Sequence, residues 1–409
     1  MDLRTISGRR IALTGLGLGV GALLLAGCNL GTPAVGYTLT DSQGDVVDPN
    51  GIATGDIDGD GDVDLVATGR FDATVMLNDG SGTFTAGPPI FGGGGQPSLA
   101  DVDDDDDLDL LITVPSFEFG DQAVPALRRN DGTGAFGDYE VLETTEPLGG
   151  LTSLVPADAD GDGDVDLLST LRSTLDGDRQ IGTYLNDGTG DFGPPSTSSL
   201  AFSTDTGSPV LLVTGDLDGD GDVDVVAADD ARIDEGEITV ERTFALVGLN
   251  DGTGAFTARP PIDTGTSGII FATTPALGDL DGDGDLDLAL GGGGGVSVLD
   301  GDGTGGFGAP QRTRVDGARE VDLLRPADID GDGHLDLVGF GDTFGPTQGV
   351  VIYGDGIGGV DQVLKVGTGA KGLVARDLDV VDIDGDADLD VLYAAADGLG
   401  VLENVNGGR

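Results

Sequence analysis

Five carboxylates packed into nine residues, in the pattern Asp-x-Asp-Gly-Asp-Gly-Asp-x-Asp, recur along this chain at one internal spacing. The pattern is complete at Asp56, Asp58, Asp60, Asp62 and Asp64; at Asp158, Asp160, Asp162, Asp164 and Asp166; at Asp216, Asp218, Asp220, Asp222 and Asp224; and at Asp279, Asp281, Asp283, Asp285 and Asp287. A second copy along the chain, Asp101, Asp103, Asp105, Asp107 and Asp109, has Asp104 and Asp106 where the others have glycine. The sixth reads Asp328, Asp330, Asp332, His334 and Asp336, and the seventh reads Asp382, Asp384, Asp386, Asp388 and Asp390 with Ala387 at its sixth position. Closely spaced carboxylates repel: at about 5 Å and an effective dielectric of about 20, each pair costs about 3 kcal/mol. What they suit is a hard cation. Ca²⁺ takes about six to eight oxygen ligands, and the Asp-x-Asp-x-Asp-Gly opening is shared with EF-hand loops. In such a loop the side chains at positions 1, 3 and 5 converge, position 7 gives its backbone carbonyl, and the carboxylate at position 9 closes the site. His334 fills position 7, where only the carbonyl is needed, so its imidazole reads as an exposed bystander. A merely solvated acidic loop is the competing reading, and seven recurrences at one spacing count against it. Loops 101–109 and 382–390, which lack glycine at position 6, are expected to release an ion first.

The loops need elements to hold them. Their starts lie 45, 57, 58, 63, 49 and 54 residues apart, so the chain is built from repeats. A second pattern trails each loop: Asn78-Asp79-Gly80, then Asn-Asp-Gly again at 130–132, 186–188 and 250–252, with Gly-Asp-Gly at 301–303 and 354–356. Asn-Asp-Gly between apolar runs marks a hairpin turn. Each unit therefore reads as four strands. Strand A enters the Asp loop, strand B leaves it, strand C ends at the Asn-Asp-Gly turn, and strand D follows. Strand B is nearly continuously apolar, as at 108–114 (LDLLITV), and so should be covered on both faces. Seven such units predict an all-β, seven-bladed β-propeller of four-stranded antiparallel blades. A linear solenoid is the alternative, but it wants capping repeats that these ends lack.

The loops and blade pattern resemble FG-GAP/VCBS repeats, the family that includes the integrin α-subunit propeller. The resemblance covers roughly residues 37–409 and implies calcium in the loops between strands A and B, up to seven ions, mainly as structural support. It is specific for fold and says little about the ligand, although the integrin likeness suggests cell adhesion.

Composition narrows the function classes. The chain of 409 residues carries 74 acidic and 19 basic side chains, a formal charge of −55. That disfavours nucleic acid, whose binding needs Lys and Arg to neutralise phosphate. One Cys and one His give no basis for a disulfide within the chain, a Cys-based zinc site or His-dependent catalysis. The loops hold 36 of the 65 aspartates, so the acids that could pair for glycoside chemistry are largely spoken for. With no Trp and five Tyr, stacking platforms for sugars are few.

The N-terminus is an address. Arg4, Arg9 and Arg10 precede an uncharged run over 11–27, the layout of an export signal. The run ends at Leu25-Ala26-Gly27-Cys28, which resembles a bacterial lipobox, so Cys28 is the expected lipid attachment point. A plain signal peptide or a membrane anchor is the blander reading, but the run is shorter than the about 20 residues a spanning helix needs. Arg9-Arg10 also resembles a twin-arginine signal. The expected organisation is a signal peptide over 1–28, a tether over 29–36 and the propeller over 37–409, with the protein lipid-anchored at the cell envelope or surface. Tyr37-Thr38-Leu39-Thr40 is expected to supply the outer strand that the last unit lacks, closing the ring.

Loop lengths locate the working face. From the end of each Asp loop to its turn the chain spans 14, 21, 20, 26, 14, 18 and 14 residues, whereas the loops and turns themselves are constant. The variation falls on the B–C and D–A loops, which share one face, and scaffolds place binding on variable loops. Candidates there are the insertion 229–237 with Asp229, Asp230 and Arg232, the stretch Phe117-Glu118-Phe119, and Arg172 and Arg179. The leading reading is a non-enzymatic calcium-binding propeller with a protein or glycan partner; a sugar-binding lectin and a polysaccharide-degrading enzyme on the same scaffold are the alternatives. The anchor is testable on its own: Cys28→Ala should move the protein out of the membrane fraction and abolish lipid labelling, and a mutant that stays with membranes rejects the lipobox.

Overall fold

The computed structural model describes residues 49–69, 72–116, 122–142, 154–172, 178–203, 211–234, 239–266, 274–316, 318–343, 348–367, 375–395 and 398–404. The expected signal segment and tether, with Cys28, and residues 37–40 lie outside them, as do Phe117, Glu118, Phe119 and residues 235–238. The described strands form seven antiparallel sheets, each ordered as the chain runs. In the first, Gly51–Gly55 enters the Asp loop, Asp64–Thr68 leaves it, Asp72–Asn78 reaches the turn and Phe84–Ala86 lies outermost. Register is set by the loop: Gly55 faces Asp64 and Gly51 faces Thr68, so the chain leaves the sheet after Gly55 and rejoins it at Asp64, directly opposite. The seventh sheet has three described strands, Ala375–Val381, Asp390–Ala395 and Gly398–Leu402.

The A strands are innermost. Those of blades 2 to 6, Gly94–Ala100, Leu154–Ala157, Leu212–Gly215, Ala276–Gly278 and Ala318–Ala327, pack successively between the first and the last, and Ala375–Val381 returns to Gly51–Gly55. The ring is therefore closed. The A strands surround a central cavity of about 370 Å³, into which Ile52, Ser98, Val155, Val213, Arg325 and Asp377 project among others.

The core is one wedge per seam. Ile57, Val66 and Val75 of blade 1 meet Leu110, Ile112 and Val124 of blade 2, and six further clusters fill the other six seams in the same way. That explains the apolar B strands: Asp64–Thr68 is buried at every position because each face of the sheet meets a neighbouring blade. The seam between blades 7 and 1 has polar fastenings as well. Ile52 N donates to Asp377 Oδ2 at 3.0 Å, Thr54 Oγ1 donates to Asp379, and the Arg376 guanidinium donates to Asn50 Oδ1 at 2.8 Å.

The insertion in blade 4 is not an irregular loop. Its charged residues extend strand B to Asp224–Asp234, and strand C answers as Thr239–Asn250, in register down to Asp234 opposite Thr239. Asp229 is buried there and pairs with Arg179 of blade 3 at 2.8 Å, both nearly inaccessible. Arg179 is thus a seam residue and not part of the open binding surface that its place in a variable region suggested. Stripping one partner from a buried ion pair costs about 3–5 kcal/mol. Arg179→Ala should lower the denaturation midpoint correspondingly, while Arg179→Met combined with Asp229→Leu should recover much of the loss.

Candidate metal centres

Each Asp loop is wound around its first carboxylate. In loop 1, Asp56 Oδ1 accepts Gly59 N at 2.8 Å and Oδ2 accepts Gly61 N at 3.0 Å, while Asp60 Oδ1 accepts Asp62 N at 3.0 Å. The pattern repeats at Asp158, Asp216 and Asp279, and at Asp382, which accepts Gly385 N and Ala387 N. The winding needs left-handed backbone at position 6. Gly61, Gly163, Gly221, Gly284 and Gly333 take φ of 93–98°, but Asp106 and Ala387 sit at 70°, close to the small region a side chain tolerates. Loops 101–109 and 382–390 thus keep the turn despite their substitutions.

The ninth position does a different job. Asp64 is fully buried, and its Oδ2 accepts Ile57 N at 2.9 Å while Oδ1 accepts Asn78 N at 2.7 Å. Asp166, Asp224, Asp287, Asp336 and Asp390 repeat both bonds. Burial pushes these carboxyls up, against the pull of the backbone donors: Asp224 to about 6, and Asp336 and Asp390 to about 7.

At position 7 the side chains turn away from the loop. A side chain on Gly80 would collide with the Asp62 carboxylate, and Gly132, Gly188, Gly252 and Gly303 stand in the same relation to Asp107, Asp164, Asp222 and Asp285. His334 covers Gly356 likewise and is exposed. Position 7 is left with its carbonyl to offer, and the third residue of the turn is glycine in blades 1 to 6. The same contact puts the A–B loops and C–D turns together at one end of the blades. Local desolvation and then the surrounding aspartates raise Asp62, Asp164 and Asp222.

The remaining carboxylate, at position 3, identifies what the loop lacks. Oδ1 of Asp58, Asp103, Asp160, Asp218 and Asp384 is buried without a hydrogen-bond partner. The backbone donors of the loop are spent on positions 1, 5 and 9, and a buried oxygen of this kind is costly unless something positive meets it. Carboxylate oxygens of Asp56, Asp58 and Asp64 lie within 4.8 Å of one another, as do those of Asp158, Asp160 and Asp166, of Asp216, Asp218 and Asp224, and of Asp279, Asp281 and Asp287. An all-oxygen set of this spacing fits a hard divalent cation.

One feature of the turn was not legible as more than a hairpin. The asparagine side chain reaches across the seam. Asn130 Nδ2 donates to Ile57 O in blade 1 at 2.7 Å, Asn186 to Val102 O at 2.8 Å, Asn250 to Ala159 O at 2.7 Å, Asn404 to Ile329 O at 2.9 Å, and Asn78 to Ile383 O at 2.8 Å. Each acceptor is position 2 of the preceding Asp loop. Where Gly301 replaces Asn, Gly305 N donates instead to Leu217 O at 2.9 Å. The signal was the recurrence of Asn itself, where many turn residues would serve.

Comparison with known proteins agrees with this anatomy. Residues 56–112 and 279–339 match the FG-GAP-like repeat, and each match spans two successive Asp loops. No curated relative matches the chain in sequence. Among solved structures, an Agrocybe aegerita lectin that recognises non-reducing terminal N-acetylglucosamine is 23% identical, covering 77% of this chain and 79% of its own, with a TM-score of 0.51. BBS1N, solved in complex with ARL6DN, is 12% identical over 92% of this chain and 98% of its own, with a TM-score of 0.55. A Penicillium chrysogenum α-L-arabinanase complexed with arabinobiose is 12% identical over 76% of this chain and 94% of its own, with a TM-score of 0.47. At such identities the likeness concerns fold alone. This chain is a seven-bladed β-propeller, and two stretches of it, 56–112 and 279–339, match the FG-GAP-like repeat.

Proposed function

We propose that the chain is a calcium-stabilised recognition propeller, without catalytic activity of its own, that is held at the cell envelope by a lipid on Cys28 and binds a protein or glycan partner. The buried, partnerless Oδ1 of Asp58, Asp160, Asp218 and Asp384, at position 3 of loops 1, 3, 4 and 7, carries the calcium part of this reading. Calcium there is structural: the loops repeat around the ring and fasten blade to blade. Binding belongs to the opposite, B–C and D–A face, where chain length varies and where the blade 4 hairpin of Asp224–Asp234 and Thr239–Asn250 is extended. That propellers of this fold include a lectin and a protein solved with a protein partner is in keeping with either class of ligand.

The glycan branch has one observation of its own. Phe91 and Tyr139 are exposed, at 70% and 44%, beside the outer strands of blades 1 and 2, and Arg128 stacks 5.4 Å from the Tyr139 ring centroid. Exposed aromatic faces of this kind suit sugar rings. A pull-down from surface extracts, run with calcium and with chelator alongside a glycan array, separates the outcomes. Retention of a partner only with calcium supports the proposal, and release of sugar fragments overturns it in favour of an enzyme.

Calcium removal is the stability test. A ligand that binds only the native state stabilises it by about 2.7 kcal/mol per site at 100 times its Kd. Several sites together rival the stability of a whole domain, about 5–15 kcal/mol. Excess chelator should therefore lower the melting temperature sharply, and Asp218→Ala should lower that of the calcium-loaded protein; an unchanged melting curve in chelator rejects calcium.

The pH dependence has a defined sign. A carboxyl whose folded pKa lies above its ordinary 3.8 binds more protons folded than unfolded in the interval between. Metal-free protein should therefore be most stable at the acid end and lose stability as pH rises through about 6 to 7, where Asp224, Asp336 and Asp390 ionise. Calcium replaces the proton as counter-charge, so the loaded protein should hold or gain stability over that window. Melting temperatures against pH, with calcium and with chelator, should diverge; parallel curves reject the linkage.

A further inference from the structure

The seven loops do not have equal surroundings. The residue just before the turn is Leu77, Leu185 and Leu249 in blades 1, 3 and 4, Asp300 in blade 5 and Arg129 in blade 2. The Arg129 guanidinium reaches back onto Asp103 Oδ2, at position 3 of its own loop. Its other end donates to Thr189 O, in the turn of blade 3, at 3.1 Å, and a side chain on Gly190 would collide with it. A fixed positive charge thus stands where, in loops 1, 3 and 4, an apolar leucine leaves the position 3 carboxylate to a metal.

The rest of loop 2 departs from its siblings in the same sense. Its convergent carboxylates are Asp101, Asp103 and Asp105, whereas loops 1, 3, 4 and 5 bring positions 1, 3 and 9 together. Asp109, at position 9, keeps the bond from Asn130 N, but its Oδ2 is buried without a hydrogen-bond partner. Asp104 and Asp106 both take left-handed backbone, at φ 59° and 70°, with no glycine to ease the turn. Loop 7 also lacks glycine at position 6, and Asp384 Oδ1, like Asp103 Oδ1, is buried without a hydrogen-bond partner; what sets loop 2 apart is the guanidinium that meets the other oxygen of the Asp103 carboxylate.

We propose that loop 2 is a charge-compensated variant of the repeat, in which the Arg129 guanidinium serves as the resident counter-charge of Asp103, clips blade 2 to blade 3, and keeps a divalent ion out of a loop whose siblings bind one. The proposal rests on the calcium reading of the other loops. Attraction from the remaining carboxylates is opposed at close range by Arg129, and the missing convergence of Asp109 removes one ligand.

Counting bound calcium by native mass spectrometry, on the exported chain freed of its anchor by Cys28→Ala, tests it. Asp160→Asn in loop 3 should lose one ion, whereas Asp103→Asn should lose none. Arg129→Leu, which installs the residue of blades 1, 3 and 4, should gain one ion. Equal losses from Asp103→Asn and Asp160→Asn, or no gain from Arg129→Leu, overturn the proposal and leave calcium in the other loops intact. A parent protein that binds no calcium overturns both. Should Arg129→Leu fail to fold, the contrast between Asp103→Asn and Asp160→Asn decides alone.

Discussion

At the end of each Asp loop a buried carboxylate accepts backbone N–H groups that come from two different parts of its blade. Asp64 takes one from Ile57, inside the loop, and one from Asn78, at the end of strand C. That single side chain fixes the loop against the turn and sets where strand C ends. The buried amides would be expensive to leave unpaired, and so would the carboxylate. Burial favours the neutral acid and raises its pKa, while the backbone donors favour the ion and pull it back.

The ring follows from that fastening. Because Asp64 holds Asn78 N in place, the amide of the same residue is aimed across the seam at Ile383 O of blade 7. Loop, turn and neighbouring loop become one hydrogen-bonded unit, repeated around the propeller, with an apolar wedge beneath each. A cation among the position 3 carboxylates would then act on a seam as well as on a loop. This is the physical reason a small local site would have a global effect on stability. Blade 2 reaches the same end with a guanidinium, which spans the seam to Thr189 by itself.

A scaffold fastened at one end leaves the other free to vary. The Asp loops and turns are constrained by the position 7 side chains lying on the turn glycines, so neither can change length. The B–C and D–A connections carry no such constraint. Blade 4 uses that freedom to lengthen a hairpin, while Asp229, at a depth that strand B also reaches in blades 2, 3 and 6, pairs with Arg179 of blade 3.

Repeat count, strand order and candidate ligand positions were all readable from the chain, because each depends on local periodicity: an aspartate every second residue, glycine where φ is positive, apolar strands between. Tertiary structure alone decided the rest. That Asn130 staples blades, that Arg179 is buried and that Arg129 meets Asp103 all depend on which blade face lies beside which. A charged residue in a variable stretch looks the same in sequence whether it meets solvent or an opposite charge across a seam. Likewise all seven loops read as equivalent ligand sets, since their spacing is equivalent. The partnerless Oδ1 shared by Asp58, Asp103 and Asp160, and the guanidinium that meets Oδ2 of Asp103, arise from how donors are shared out, and donors are assigned only once the blades have packed.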